Sequence, residues 1–499
     1  MASVHEPPDV RSFYSLADVD LAHAHCQGTA CFVARHLNTE RWQQATAQSP
    51  RVYCLGKCYA APASADDMSR PTVEVRSRCP VVLERIVAGG AHSIDEYRQS
   101  GGFTGLERAL TLGAHRTLAE IEASELRGRG GAGFPTGAKW RAVRAQPALE
   151  KYIVANVDEG DPGAYIDRFI AEDDPFCLLE GMAIAAHAVG ASRGWIYVRC
   201  EYPAAIQSLT RALDVARAEG LLGRSVMGSD FSFDVDLVVG RGSYECGEET
   251  ALLNSIEGKR PVARIRPPYV AERGLWDMPT VVNNAETLAN IPWIMQHGAA
   301  EYILLGVTGS RGTKVLSLNS LFRRPGLYEL EFGTTLREIV EELGGGVKSG
   351  ALRGLMIGGP LAGVVPPHLL DTPLGFAELR AIGASVGHGG VIAFDEHTSI
   401  PELVRHVFSF GAYESCGKCT PCRLGAARIE GIFTQNIRGN KAGTTRSELG
   451  HATRSEQAEW QEIVWALKLA SLCGLGTGLA EFADSILRYY SEDLRPCFT

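Results

Sequence analysis

Trp195-Ile196-Tyr197-Val198, a following face of Ile206, Leu209, Leu213 and Ala216, and then Val235-Asp236-Leu237-Val238-Val239 decide the fold of this chain. The outer runs are short, apolar and rich in β-branched or aromatic residues, while the spacing between them is helical, so they read as strand, helix, strand. Toward the N-terminus, Tyr152-Ile153-Val154-Ala155 is a third strand of the same kind. Strands separated by helices pair in parallel beneath helical layers. The prediction is a multidomain α/β protein with a Rossmann-like central domain over residues 80–300.

On either side the pattern changes. Residues 305–395 carry glycine-punctuated short strands such as Lys314-Val315-Leu316-Ser317-Leu318 and one helix near Thr335 to Leu343, which predicts a small α+β module. After Asp395 the chain turns helical, with Ser399 and Glu402 at capping-box spacing. Helices near 400–411, 421–434, 456–471 and 478–491 make a bundle over 396–499, and the polar stretch Asn436 to Gln457 reads as a mobile loop. Residues 1–75 form a compact cysteine-rich unit, with Ala63-Ser64-Ala65-Asp66-Asp67-Met68-Ser69-Arg70-Pro71 as an exposed connection.

The 499 residues suggest about three domains, and 45% hydrophobic residues supply real cores. A net charge of −9 argues against nucleic acid or an anionic membrane as the main partner. No run approaches the length of a membrane span, and the N-terminus lacks the basic-then-apolar pattern of a signal peptide. The expectation is a cytoplasmic protein without membrane insertion. In a reducing compartment, thirteen cysteines favour metal ligation or free thiols over disulfides. Eight fall into two ligand-like groups, and Cys79, Cys177, Cys200, Cys246 and Cys497 are expected to pack as small apolar side chains.

Cys416-Gly417-Lys418-Cys419-Thr420-Pro421-Cys422 sets three thiols at C-x2-C-x2-C spacing, and Cys473 follows in Cys473-Gly474-Leu475-Gly476. A tight turn aims three sulfurs at one point and a distant cysteine closes a fourth corner, the ligand pattern of a 4Fe-4S cluster. A zinc knot uses two pairs rather than a triplet. Such a cluster moves single electrons.

Gly128-Arg129-Gly130-Gly131-Ala132-Gly133-Phe134 satisfies G-x-G-x-x-G, with Lys139 just beyond. The dense glycines free backbone N–H groups to approach a phosphate or a ring; a structural turn is the plainer reading. Asn156-Val157-Asp158-Glu159-Gly160-Asp161 and Gly247-Glu248-Glu249 each follow a strand, where an open α/β sheet forms its ligand crevice. Carboxylates suit ribityl or ribose hydroxyls, and the alternative is a pair of solvated turns or helix caps. Asn283, Asn284 and Thr287 add amides and a hydroxyl, which also fit a capped helix start.

Together these motifs resemble, over residues 80–495 and in the same order, the NADH-binding flavoprotein subunits of respiratory complex I, NAD-linked formate dehydrogenases and NAD-reducing hydrogenases. The resemblance implies an FMN held by Gly128, Gly130, Lys139, Asn156, Asp158, Tyr244, Glu248, Asn283, Asn284 and Thr287. It implies NAD(H) stacked over the flavin, with adenine between Phe134 and Tyr269 and with Arg266, Asp161 and Glu249 lining the nucleotide site. Arg129, Gly131, Gly133, Glu159 and Gly247 belong to the same cofactor-binding motifs. The α+β module is cast as ubiquitin-like, or β-grasp-like. Asp161 stands where the family usually has glutamate, Ala142 where an aromatic is common, and Tyr269 where phenylalanine is usual.

Cys26-Gln27-Gly28-Thr29-Ala30-Cys31 and Cys54-Leu55-Gly56-Lys57-Cys58 give C-x4-C and C-x3-C. They resemble the thioredoxin-like ferredoxin that accompanies the flavoprotein, in which four such cysteines hold a 2Fe-2S cluster. The gap between the pairs is shorter than in that family, so residues 1–75 are expected to be a truncated thioredoxin-like domain; zinc and unligated thiols are the alternatives. The chain thus reads as a diaphorase subunit. Its partners are an iron–sulfur catalytic subunit and a ferredoxin-like small subunit. The first choice for the catalytic partner is a molybdenum or tungsten formate dehydrogenase α subunit, because Glu414 to Arg423 is most similar to that branch. Hydrogen and quinone are the other terminal substrates, and a flavin-free iron–sulfur docking scaffold is the alternative of another class.

Overall fold

The computed structural model describes Val10 and residues 13–441 and 454–498. After a first strand β1 (Thr72–Val75), the strands β2 (Tyr152–Val157), β3 (Arg193–Arg199), β4 (Asp234–Gly240) and β5 (Thr280–Asn284) form one sheet in the order β4-β3-β2-β5, every pair parallel. β2 and β3 are buried almost throughout, as expected of parallel strands with covered faces, which is why they read as unbroken apolar runs. The helices Pro175–Val189 and Ala285–His297 pack together beside this sheet, and only His187 of the first is not buried.

Downstream, β6 (Gly306–Val307) and β7 (Ser310–Arg311) form a hairpin. β8 (Thr313–Leu318), β9 (Gly326–Glu331), β10 (Leu352–Ile357), β11 (Val364–Val365) and β12 (Gly390–Asp395) join β1 in a mixed sheet, ordered β1-β9-β8-β12-β10-β11. It carries more than the one helical segment expected: Glu338–Leu343, which has π-type winding, and Phe376–Ala381. A buried ion pair, Lys314 on β8 with Glu286 of the helix Ala285–His297, fastens this module to the parallel-sheet domain, and Glu286 also accepts the Val315 N–H at 2.9 Å. The C-terminal helices Ile400–Glu414, Ala426–Lys441, Arg454–Ala470 and Gly474–Phe498 form the expected bundle.

Four expectations are corrected. The thioredoxin-like domain over 1–75 does not form. Among the described residues this segment has only short helices, such as Thr29–Val33 and Thr39–Ala47, and isolated pairings, His25 with Ser64 and Cys26 with Val52. So short an insert between the cysteine pairs leaves no chain for a sheet, and the segment's apolar residues join the main core instead. Second, Thr72–Val75, placed with the N-terminal unit 1–75, belongs to the sheet of the α+β module instead: it pairs in parallel with β9 from Thr72↔Gly326 to Val75↔Glu329. Third, the capping box at Ser399 does not close: Ser399 makes no side-chain cap, and the Glu402 carboxylate pairs with Arg35 at 2.9 Å instead. Fourth, the bundle helices reach Lys441 and resume at Arg454, so the loop expected over 436–457 is helical at both ends; residues 442–453 lie outside the described residues.

Candidate redox site

The glycine loop 128–133 lies against the carboxyl end of the parallel sheet. Gly131 and Gly133 take φ of +125° and +61°, and a Cβ on Gly130 would come within 2.8 Å of the Asn284 Cβ, so the loop's approach to β5 demands glycine. The Arg129 N–H donates to Thr287 Oγ1 at 2.8 Å, tying the loop to the start of the helix Ala285–His297. Asn284 caps that helix, accepting the Thr287 N–H at 3.2 Å, while the Asn283 side chain takes the Trp140 indole N–H at 2.8 Å. Asn156 donates to the Gly247 carbonyl at 2.8 Å and accepts the Asp158 N–H at 3.0 Å, joining the turns after β2 and β4. The motifs read separately along the chain therefore share one strand-end site.

Two of the predicted residues turn elsewhere. The Arg129 guanidinium is buried and donates to Tyr302 (2.8 Å) and the Arg311 carbonyl (2.7 Å), leaving only its backbone at the site. Glu159 points back into the protein, where its carboxylate accepts the N–H groups of Ile166, Asp167 and Arg168 and caps the helix Ile166–Asp173. With the Tyr202 hydroxyl and His388 Nε2 also on it, at 3.1 Å and 2.8 Å, this carboxylate has no capacity left for a ligand hydroxyl.

Asp158 and Asp161 behave differently. Each has an Oδ2 shut off from solvent with no hydrogen-bond partner among the described residues, and burial pushes each carboxyl up to about 8. Unpartnered carboxyl oxygens at strand ends fit the hydroxyl groups of a bound ribityl or ribose chain. Lys139, half-buried, is held by Glu249 at 3.1 Å and the Val282 carbonyl at 3.0 Å. Arg266 pairs with Glu248 and lies 3.6 Å from Glu249, and Glu248 caps the helix Glu249–Ile256. Phe134 and Tyr269 are 55% and 58% exposed, so both rings are free to take a planar group.

Tyr244 links this site to the bundle thiols. Its N–H donates to Glu414 at 3.0 Å, two residues before Cys416, and its ring meets Phe410 at 5.0 Å. Cys416 and Cys422 are buried, and Cys419 and Cys473 partly so. A hydrogen bond from Cys422 holds the Cys419 thiol down to about 5, giving it the thiolate character of a ligand. Left-handed Gly417 (φ +74°) turns the chain between the first two thiols. Burial raises Glu414 to about 7 and Glu245 to about 8 beside this set.

All four N-terminal cysteines are buried. Backbone N–H groups of Gly28, Gly56 and Ala63 donate to the sulfurs of Cys26, Cys54 and Cys31 at 3.3–3.4 Å. A hydrogen bond from the Cys31 thiol lowers Cys26, and one with Cys54 raises Cys58, so the sulfurs meet as two pairs, 26 with 31 and 54 with 58. The segment docks on the bundle helix Ile400–Glu414 through Phe32 stacked on His406 at 4.3 Å and Tyr53 against Phe410 at 5.1 Å. Arg199 donates to the carbonyls of Cys54 (3.0 Å) and Glu159, bridging the segment to the turn after β2. Sequence reading singled out neither Arg199, which ends a strand, nor His388, in the turn Gly387-His388-Gly389. An arginine closing the apolar run Trp195-Ile196-Tyr197-Val198 was the available signal for the first, and a histidine flanked by glycines for the second.

Comparisons with known proteins agree with this geometry. Residues 121–293 match the Nuo51 FMN-binding domain, and residues 402–496 match the NADH-ubiquinone oxidoreductase-F iron-sulfur binding region. The chain is 41% identical over 385 residues to the NADP-reducing hydrogenase subunit HndC of Solidesulfovibrio fructosivorans, covering 77% of this chain and 76% of that one. It is 38% identical over 416 residues to an NADH-quinone oxidoreductase F-type subunit of Rhizobium meliloti, covering 83% and 96%. An NAD+-reducing NiFe-hydrogenase crystal structure in the H2-reduced state superposes with a TM-score of 0.80 at 27% identity, over 98% of this chain and 87% of that one.

Fold and site together define a multidomain α/β redox protein that combines a flavin domain with an iron–sulfur bundle. No described helix is long and apolar enough to cross a membrane. The chain belongs to the family of NADH-binding flavoprotein subunits of NADH-quinone oxidoreductases and NAD(P)-reducing hydrogenases, and is an NADH dehydrogenase-type oxidoreductase subunit with FMN, a 4Fe-4S cluster and NADH as substrate.

Proposed function

We propose that the chain is the diaphorase subunit of a cytoplasmic NAD-linked redox complex, and that its strand-end pocket and bundle thiols work as one electron-transfer unit. The observation that carries this reading is their shared wall: Tyr244 sits over the Gly160 turn and hydrogen-bonds Glu414, beside Cys416. An FMN held there would supply hydride exchange with NAD(H) and one-electron transfer to a cluster. Asp158, Asn156 and the loop 128–133 orient the flavin, with Asn283, Asn284 and Thr287 along its polar edge. Phe134 and Tyr269 take the adenine, and Arg266, Asp161 and Glu249 line the nucleotide channel. Lys139, paired with Glu249, would meet an anionic group of the cofactor. Cys416, Cys419, Cys422 and Cys473 ligate the 4Fe-4S cluster.

The terminal reaction proposed first is formate oxidation, with this chain as the β subunit of an NAD-dependent formate dehydrogenase, supported by the likeness of Glu414–Arg423 to that branch. Hydrogen is the second reading, favoured by the hydrogenase relatives. Purification of the native complex decides between them. A co-purifying iron–sulfur subunit containing molybdenum or tungsten is the expected result, whereas nickel would replace formate by hydrogen.

Cys26, Cys31, Cys54 and Cys58 are proposed to hold a 2Fe-2S cluster. Two sulfur pairs suit two irons, each taking one pair, and the N–H donors to sulfur suit thiolates that carry extra charge. Purified protein should carry about six irons per chain, and Cys54→Ser should remove about two while NADH-linked dye reduction survives. About four irons in both proteins would leave this segment without a cluster.

A further inference from the structure

His388 lies outside every family motif, in the loop leading into β12. Its side chain is only 11% exposed, and Nε2 sits 2.8 Å from Glu159 and 3.3 Å from Asp167, both buried. Glu159 is otherwise occupied by three backbone N–H groups and the Tyr202 hydroxyl. Asp167 accepts the Asn284 amide at 2.6 Å, and its Oδ1 has no partner among the described residues. The neighbouring Gly387 pairs with Gly131 of the glycine loop, so the same turn touches the proposed flavin site by two routes.

We propose that His388 is a positioning residue that, as a buried imidazolium, clamps Glu159 and Asp167 and thereby holds Asn284 and the glycine loop in their cofactor-binding arrangement. This rests on the flavin site proposed above. The charged groups facing it are Glu159, Asp161 and Asp167 across the interface, with Lys314, Glu286 and Arg129 beyond; Lys314 donates to the His388 carbonyl at 2.9 Å. Burial opposes the charged ring, but the two carboxylates outweigh it and push His388 up to about 9. Against an unfolded value of about 6.5, the folded state binds the extra proton. The Glu159 half of the clamp therefore contributes in full below about 6.5 and is lost as pH rises through about 9, whereas the Asp167 half also needs that carboxyl, pushed up to about 7 by burial, to be ionised. A metal ion is a poorer occupant than a proton, because the N–H donors already fill Glu159.

The experiment compares wild type with His388→Gln, which keeps polar bulk without the charge. Flavin-stripped wild type should bind FMN with an affinity that weakens as pH passes about 9, and His388→Gln should bind about tenfold more weakly at pH 7 with that pH step gone, the scale of one lost charge-assisted contact. Histidine-selective nitrogen NMR of the wild type should show both His388 ring nitrogens protonated at pH 8, a readout that survives even if the variant misfolds. A neutral ring at pH 8, equal affinity and pH dependence in the two proteins, or stoichiometric zinc that requires His388 would each overturn the inference. Failure of the wild type to bind FMN at all would instead overturn the flavin site.

Discussion

Replacing Cys419 by alanine should abolish electron delivery from NADH to the partner subunit while leaving FMN bound. Cys419 is the middle thiol of the triplet and the one held down to about 5 by its neighbour Cys422, so it is a ready thiolate ligand. Alanine offers no donor atom, and three corners hold a cubane poorly, so iron content should fall by about four per chain. The residues proposed to hold FMN keep their partners, since none of the hydrogen bonds of Asn156, Asn283 or Asn284 passes through the triplet. Rapid mixing with NADH should therefore still bleach one equivalent of flavin, and steady-state reduction of the partner should drop to background. Full iron content with an unchanged steady-state rate would remove this cluster from the route.

The second large effect concerns stability. Lys314→Met should destabilise the protein by about 3–5 kcal/mol, because it strands the Glu286 carboxylate in the interior with, among the described residues, only the Val315 N–H at 2.9 Å to meet it. Both side chains are fully buried, so solvent cannot take over the lost partner. Lys314→Met combined with Glu286→Leu removes the isolated charge and should recover much of the loss, although the Val315 N–H then loses its acceptor. Denaturant unfolding monitored at the interface of the two sheet domains measures both changes. A single variant within about 0.5 kcal/mol of wild type would show that the pair is not what fastens the modules.

Much of the site was legible along the chain because its chemistry is local. The C-x2-C-x2-C triplet, the glycines at 128–133 and the acidic turns after β2 and β4 each lie within a few residues, and their meaning follows from spacing and from the rule that strand ends line the crevice. The parallel strands were legible for the same reason, since a strand covered on both faces must be apolar throughout. Side-chain direction was not. Glu159 and Asp158 are neighbours in one motif, yet Glu159 turns inward to cap a helix while Asp158 keeps an oxygen free, a choice made by the N–H groups at the start of Ile166–Asp173.

Local pattern thus determined by itself the central parallel sheet, the helical bundle, the two cysteine sets and the residues that converge at the strand ends. Tertiary structure alone decided where the pieces meet. It carried Thr72–Val75 to the edge of a sheet beside Gly326, laid the N-terminal cysteine segment on the helix Ile400–Glu414 instead of folding it separately, and brought His388 to Glu159. The physical reason is that a sheet edge, a docking face or a buried charge is satisfied by whatever packing brings to it, and contacts of that range leave no periodicity in the sequence that forms them.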